Sequence, residues 1–452
     1  MLSETEQEAG KKNLAQIPWM RWLLLNRWPQ FLARALTLAG FIFAILAGLF
    51  GTPVGSHNLA IVFVWIAWWT ALKLVFIPLG GRSWCSFCPL PMPGEWLQQG
   101  GMIAWTGKRR GLGLKWPKRL QSTWLQSGGF LLIGLFSAVT LTDARLTAWV
   151  LLGLLLLATV LSLVFERRAF CRYICPIGGF TGIYAQTAPV EVRAIDLEAC
   201  RTHPVKSCYQ ACPWDVYPVA LKNNANCGLC MECLRACPKD NLAVNLRSFG
   251  EDLKPSRQKR SLDEAFLALV MLGTAISFSS VFLGPWAWLK TAAYAIGSTH
   301  WLVYSLGFLF LTVLIVPGLF AFSVWMQGRI AGMDCEVRKE IANQAQALLP
   351  LGLFAWIAFT ISFAIPKLSL ILPVLSDPLG WGWNLFGTAN ISWSPDLTSI
   401  SSGLQVAALL LGLFWAVQVT KKVSKDRKGF SFLPVVVYHL LFTMTMMWLL
   451  IG

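Results

Sequence analysis

Charge is what this sequence has least of. Only 13% of its 452 residues are Asp, Glu, Lys or Arg, while 56% are hydrophobic. So little polar surface cannot cover a water-facing globule of this length, which excludes a soluble fold and makes a bilayer the expected solvent. Acidic residues are the scarcer half, 22 against 38 basic ones, for a formal net charge of +16. Histidine is nearly missing, with four in the chain. Only His300 and His439 stand in or near apolar stretches, which argues against a haem held by paired histidines. No Ser-His-Asp set, phosphate-binding loop or zinc-protease helix is present, so hydrolytic and nucleotide chemistry lack their machinery. Met1 to Gly10 is acidic and the first apolar run lacks a small-residue cleavage pattern, so no cleavable signal peptide is expected.

Long apolar runs are abundant. A helix needs about 20 apolar residues to cross a bilayer, and nine stretches qualify as spans: 31–53, 59–79, 126–142, 147–165, 264–288, 301–325, 347–375, 401–420 and 432–451. The third is short and the seventh contains Pro366. With the N-terminus inside, basic residues sort to one side: only Arg145, Lys290 and Lys367 fall outside and Lys73 within a span. That asymmetry follows the positive-inside rule. It accounts for the +16 without nucleic acid, which is not expected as a partner. The expected location is the inner (cytoplasmic) membrane, multi-pass, with the C-terminus extracytoplasmic. Trp65, Trp68, Trp69 and Trp381, Trp383, Trp393 lie near the ends of apolar stretches, as an interfacial belt would.

All twelve cysteines fall on the inner side in this topology. A reducing compartment disfavours structural disulfides and favours metal or redox work. The strongest signal is NCGLCMECLRACPKD, in which Cys227, Cys230, Cys233 and Cys237 follow the C-x2-C-x2-C-x3-C-P spacing of bacterial ferredoxins. Zinc sites usually join two separated C-x2-C knuckles instead. Upstream, CRTHPVKSCYQACPWD repeats the tail with Cys200, Cys208, Cys212 and Pro213, but His203 stands where a second cysteine would. By the crossed ligation of two-cluster ferredoxins, Cys227, Cys230 and Cys233 join Cys212, and Cys200 and Cys208 join Cys237. The second set lacks a fourth thiolate. His203, a cysteine from elsewhere, or a three-iron cluster would each complete it.

Two further pairs repeat along the chain: RSWCSFCPL at 82–90 and RAFCRYICPI at 168–177, each after two apolar spans. Cys85 with Cys88, and Cys171 with Cys175, are therefore expected at equivalent helix ends. They could share one metal or cluster, act as redox dithiols, or supply the missing ligand. Nearby Arg82, Arg167, Arg168 and Arg172 are expected to lower the thiol pKa values. Cys335 reads as a spectator. Lys73, Gln405, Gln418 and His439 are the notable polar groups of the spans, with Lys73 expected to snorkel to the interface.

Taken together, Cys85, Cys88 and Pro89, Cys171, Cys175 and Pro176, and the Cys200 to Pro238 segment resemble the polyferredoxin group typified by the NapH membrane ferredoxins and the related NosR and CcoG families. The resemblance covers roughly residues 35 to 245. With the nine apolar spans, the expected fold is an all-α polytopic membrane protein of about nine transmembrane helices with a small cytoplasmic α+β ferredoxin-like insert. Its expected parts are a cytoplasmic segment (1–30), a four-helix unit with both Cys-Pro pairs (31–180), a 4Fe-4S domain (181–263) and a five-helix membrane domain (264–452). The expected cofactors are two 4Fe-4S clusters, with a 3Fe-4S cluster or an unusual fourth ligand as the alternatives at one of them, a further metal or cluster as one option for the Cys-Pro pairs, and quinone as a candidate membrane ligand. The implied function is electron relay between quinol or another membrane donor and a respiratory partner protein or complex, as a subunit rather than a stand-alone enzyme. The alternative is an assembly or metal-handling role for a respiratory metalloenzyme. The chain departs from the family in the two-residue spacer of the first pair, in His203, and in the five spans after Lys259.

Overall fold

The structure, a computed structural model, describes residues 12–103, 110–202, 204–253, 261–332, 336–391, 398–425 and 429–452. His203, Cys335 and Trp393 lie outside the described residues. The described chain is mostly helical with one three-stranded sheet. Eight helices are long and apolar enough to cross a membrane: Arg27–Phe50, Leu59–Gly80, Ala144–Val164, Leu262–Phe282, Thr299–Ile330, Val337–Ser376, Ile400–Val423 and Leu433–Ile451. The remaining expected span, 126–142, is a shorter apolar helix, Trp124–Leu135, followed by the single turn Ser137–Thr140. Ser137 and Thr140 hydroxyls donate to the carbonyls of Gly134 and Phe136, a local competition that loosens helices at such residues. Pro366 does not end its span, because Ile365–Leu370 tightens to 3₁₀ and Ile371–Ser376 resumes the α-helix. Along Thr299–Ile330, Leu302, Leu306, Phe310 and Leu314 are exposed at four-residue spacing, an apolar face that fits lipid and not water.

Two compact units divide the chain. One comprises Phe43–Leu74, Ser122–Leu152 and Leu253–Gly452. Its centre is the nearly all-buried pair Leu262–Phe282 and Leu348–Ala364, with Phe278 edge-on to Trp356 at 5.5 Å. Lys73 does not snorkel. It is 1% exposed, and its Nζ lies 5.1, 5.3 and 5.4 Å from the rings of Trp69, Trp356 and Phe359, whose faces attract an ammonium. His439 Nε2 lies 3.0 Å from Thr420 Oγ1, and Gln405 donates to the Ala358 carbonyl. Trp381 and Trp383 are exposed, as a belt requires, but Trp69 is buried and Trp65 donates to Thr147 Oγ1 at 3.1 Å. The first tryptophan group is therefore core packing.

The other unit comprises Met1–Ile42, Val75–Gln121 and Gly153–Asp252. Its sheet runs β1 (Lys12–Asn13), β3 (Leu242–Leu246), β2 (Val190–Ala194), all neighbours antiparallel. Strands β2 and β3 bracket the double cysteine motif in sequence and pair Val192 with Val244 beneath it. Val192, Ala194, Leu242 and Val244 pack with Met231 and Leu234. Residues near the N-terminus join this fold: Arg235 donates to the carbonyls of Leu24 and Leu25 at 2.8 and 3.0 Å, and Arg21 pairs with Asp240 at 2.7 Å. Arg247 forks onto Asp252 at 2.5 and 2.7 Å and reaches Glu191 at 2.9 Å. Asp252 also accepts from the Asn224 backbone at 2.8 Å, which anchors the loop leading to Cys227.

Candidate iron-sulfur sites

Eleven described cysteines are free thiols, and all lie in the second of these units. The loop after Cys227 winds through left-handed backbone at two non-glycine residues, Leu229 (φ 52°) and Met231 (φ 62°). Alternating backbone of this kind turns successive N–H groups inward and forms the concavities that hold anions and iron-sulfur clusters. Cys227, Cys230 and Cys233 line one hollow with Cys212. Cys200, Cys208 and Cys237 line a second, where Asn241 donates to Cys200 Sγ at 3.2 Å and Cys237 Sγ at 3.4 Å. The structure thus gathers the cysteines into the two crossed sets. The tails CPWD and CPKD fold alike: Asp215 (φ 56°) and Asp240 (φ 49°) each close a turn onto the carbonyl of Cys212 or Cys237 at 3.4 Å.

The Cys-Pro pairs form a third group just past the ends of Leu59–Gly80 and Ala144–Val164. Cys88 (φ −61°, ψ 128°) and Cys175 (φ −60°, ψ 118°) share one extended conformation, which the following proline imposes. The spacers differ by a residue, and the extra one is absorbed by π-helical winding at Phe170–Ile174. Cys85, Cys171 and Cys175 pack in one buried cluster with Cys88 at its edge and Trp214 and Cys230 beside it. Two arginines clamp the group. Arg82 donates to the carbonyls of Cys171 at 2.8 Å and Ala225 at 2.6 Å. Arg168 donates to the Cys85 carbonyl and forks onto Glu95, with Nη2 2.8 Å from Oε2. Arg34 reaches the Ser86 carbonyl at 2.8 Å.

Electrostatics here run against a dithiol. Burial pushes Cys175 up to about 11 and Cys230 to about 12, and raises Cys88, Cys171 and Cys233 as well. Arg168 pulls Cys88 and Cys171 down and Arg82 pulls Cys175 down, as expected of cationic neighbours, but loss of water outweighs that attraction. A reactive dithiol needs the thiolate at neutral pH. The arginines outnumber Glu95, however, and a surplus of buried positive charge suits an anionic, thiolate-ligated group. Among the described residues no three His, Cys, Asp or Glu side chains converge on the geometry of a single metal ion. Sequence reasoning missed Glu95, Trp214 and Asn241. Trp214 carried a signal, since it follows the Cys-Pro of the degenerate motif.

A polytopic helical scaffold with cysteines folded into such hollows is the architecture of a ferredoxin-type membrane protein. Comparison with known proteins reaches the same class: the 4Fe-4S binding domain family matches residues 61–113 and 147–189. The methylamine utilization ferredoxin-type protein MauN of Paracoccus denitrificans is 29% identical over 156 residues, 31% of this chain and 52% of that protein. YccM of Escherichia coli, described as an electron transport protein, is 28% identical over 137 residues, 28% of this chain and 35% of YccM. An uncharacterised protein of Methanocaldococcus jannaschii is 24% identical over 217 residues, 48% of this chain and 83% of its own length. The chain therefore spans about half or less of the two described relatives. No solved structure matches. The similarity supports a membrane iron-sulfur protein of electron transport, as the sequence reading expected.

Proposed function

We propose that this chain relays electrons between a membrane donor, quinol, and a respiratory partner protein, through three cysteine nests. The observation that carries the reading is where the 4Fe-4S family matches: the cysteines within 61–113 and 147–189 are Cys85, Cys88, Cys171 and Cys175 alone. These four would hold the first cluster. Cys212, Cys227, Cys230 and Cys233 would hold the second, and Cys200, Cys208 and Cys237 the third, with His203 or an open iron position completing it. When bound, such clusters supply one-electron uptake and release. The protein's part is to hold them in sequence: Cys230 packs with the first nest, while Cys233 shares its core with Cys200, Cys208 and Cys237.

Anaerobically purified protein should contain about 11–12 iron atoms per chain and show more than one paramagnetic centre on reduction. Quinol and a soluble acceptor should turn over through the reconstituted protein. Unimpaired turnover after loss of the Cys227–Cys237 thiols would overturn the relay.

A further inference from the structure

Trp214 stands where two nests meet. It is 1% exposed, packs with Cys85, Cys171, Cys175 and Cys230, and also lines the hollow of Cys212, Cys227, Cys230 and Cys233. Two guanidiniums hold its ring, Arg82 at 4.4 Å and Arg168 at 5.3 Å from the centroid. These same arginines grip the backbone of the first nest, and the Arg168 N–H donates to the Pro213 carbonyl at 2.9 Å. The indole edge lies against Gly228: a Cβ there would fall 2.2 Å from Trp214 Nε1. Glycine is required at that contact.

Despite this tight seat, Trp214 Nε1 has no hydrogen-bond partner. A buried indole N–H left unpaired is costly, and tryptophan is usually buried only where that group is met. Its surroundings in the hollow are thiols and apolar side chains, with the exposed Asn226 and the Gly228 backbone completing the lining. The acceptor it lacks is one that a sulfur-rich anionic group in the hollow would supply.

The geometry points to Trp214 as a positioning and tuning residue: its indole N–H donates to sulfur of the cluster held by Cys212, Cys227, Cys230 and Cys233, and so raises that cluster's reduction potential. The inference rests on the proposed cluster assignment. A hydrogen bond to sulfur favours the more negative, reduced state, and the flanking guanidiniums act in the same direction.

The test is a potentiometric titration of full-length protein in nanodiscs, read by paramagnetic resonance. Trp214→Phe keeps an aromatic ring between the arginines and removes the N–H together with the rest of the five-membered ring. Its ratio of reduced to oxidised cluster at fixed potential should fall about tenfold, a shift of about 59 mV for a one-electron couple, with iron content unchanged. Trp116→Phe, whose N–H already donates to the Leu120 carbonyl, should not shift it. An unchanged potential in Trp214→Phe with the cluster intact overturns the inference and leaves the assignment standing. Should that variant fail to assemble, wild-type protein carrying 15N only at tryptophan indole should show 15N coupling to the reduced cluster by pulsed resonance, and lack of coupling overturns the inference. Wild-type protein without any cluster signal overturns the assignment beneath it.

Discussion

Single residues in the cysteine nests answer for whole centres. Serine in place of Cys227, Cys230 or Cys233 offers a harder and far less acidic ligand, so each variant should lose one four-iron centre, measured as iron content and resonance signal. Cys85, Cys88, Cys171 and Cys175 should behave as one unit. Any single Ser variant should lose the same centre, and double variants should add little, since a half-ligated site is already broken. If one Cys-Pro pair sustains activity without the other, a shared centre is wrong. Glu95→Gln leaves Arg168 charged and unpaired in the interior and should cost about 3–5 kcal/mol, read as a lowered midpoint of thermal unfolding. Lys73→Met should act oppositely. Cation–π contacts give back about 2 kcal/mol, less than the several kcal/mol of burying an ammonium, so the midpoint should rise.

At the scale of elements, the fold works by making unequal sequences equivalent. The two Cys-Pro pairs reach one backbone conformation although their spacers differ, because the turn before Cys175 winds to π. The two Cys-Pro-x-Asp tails close the same left-handed turn. Strand β3 is held between β2 and β1, and the Arg247, Asp252 and Glu191 ion group ties its end to the loop before Cys227. Arg247→Ala strands two buried carboxylates, Glu191 and Asp252, with less compensation. A loss of about 3–5 kcal/mol is expected, with the second nest losing iron before the first as denaturant is raised. Simultaneous loss of both signals would show instead that the nests unfold together.

For the whole molecule the first nest constrains topology. Cys85 and Cys88 follow Leu59–Gly80, Cys171 and Cys175 follow Ala144–Val164, and all four gather within one unit. The chain between them must therefore leave and return to the same side. Yet Trp124–Leu135 has 12 residues, about 18 Å of helix against a bilayer core of about 30 Å. Its crossing needs the turn Ser137–Thr140 as well. With the basic loops inside, a reporter fused after Gly452 should be active only as an extracytoplasmic type. Activity of a cytoplasmic reporter there would mean an odd number of crossings has been miscounted, with Val337–Ser376 the first place to look.

The multi-pass membrane class, eight of the spans and the ferredoxin-type character were legible from the sequence because each is local: apolar run length and Cys-x2-Cys spacing survive in one dimension. The repeat RSWC and RAFC even announced that two pairs stand at equivalent places. What tertiary structure decided is what depends on burial and on partners distant in the chain. The gathering of four thiols 86 residues apart into one group, their desolvation beyond the reach of nearby arginines, and the ring cage around Lys73 follow from packing. So do the strand pairing of Lys12–Asn13 with β3 and the seating of Trp214 on Gly228, because removing water and adding a neighbour change a side chain's energy by more than its sequence context does.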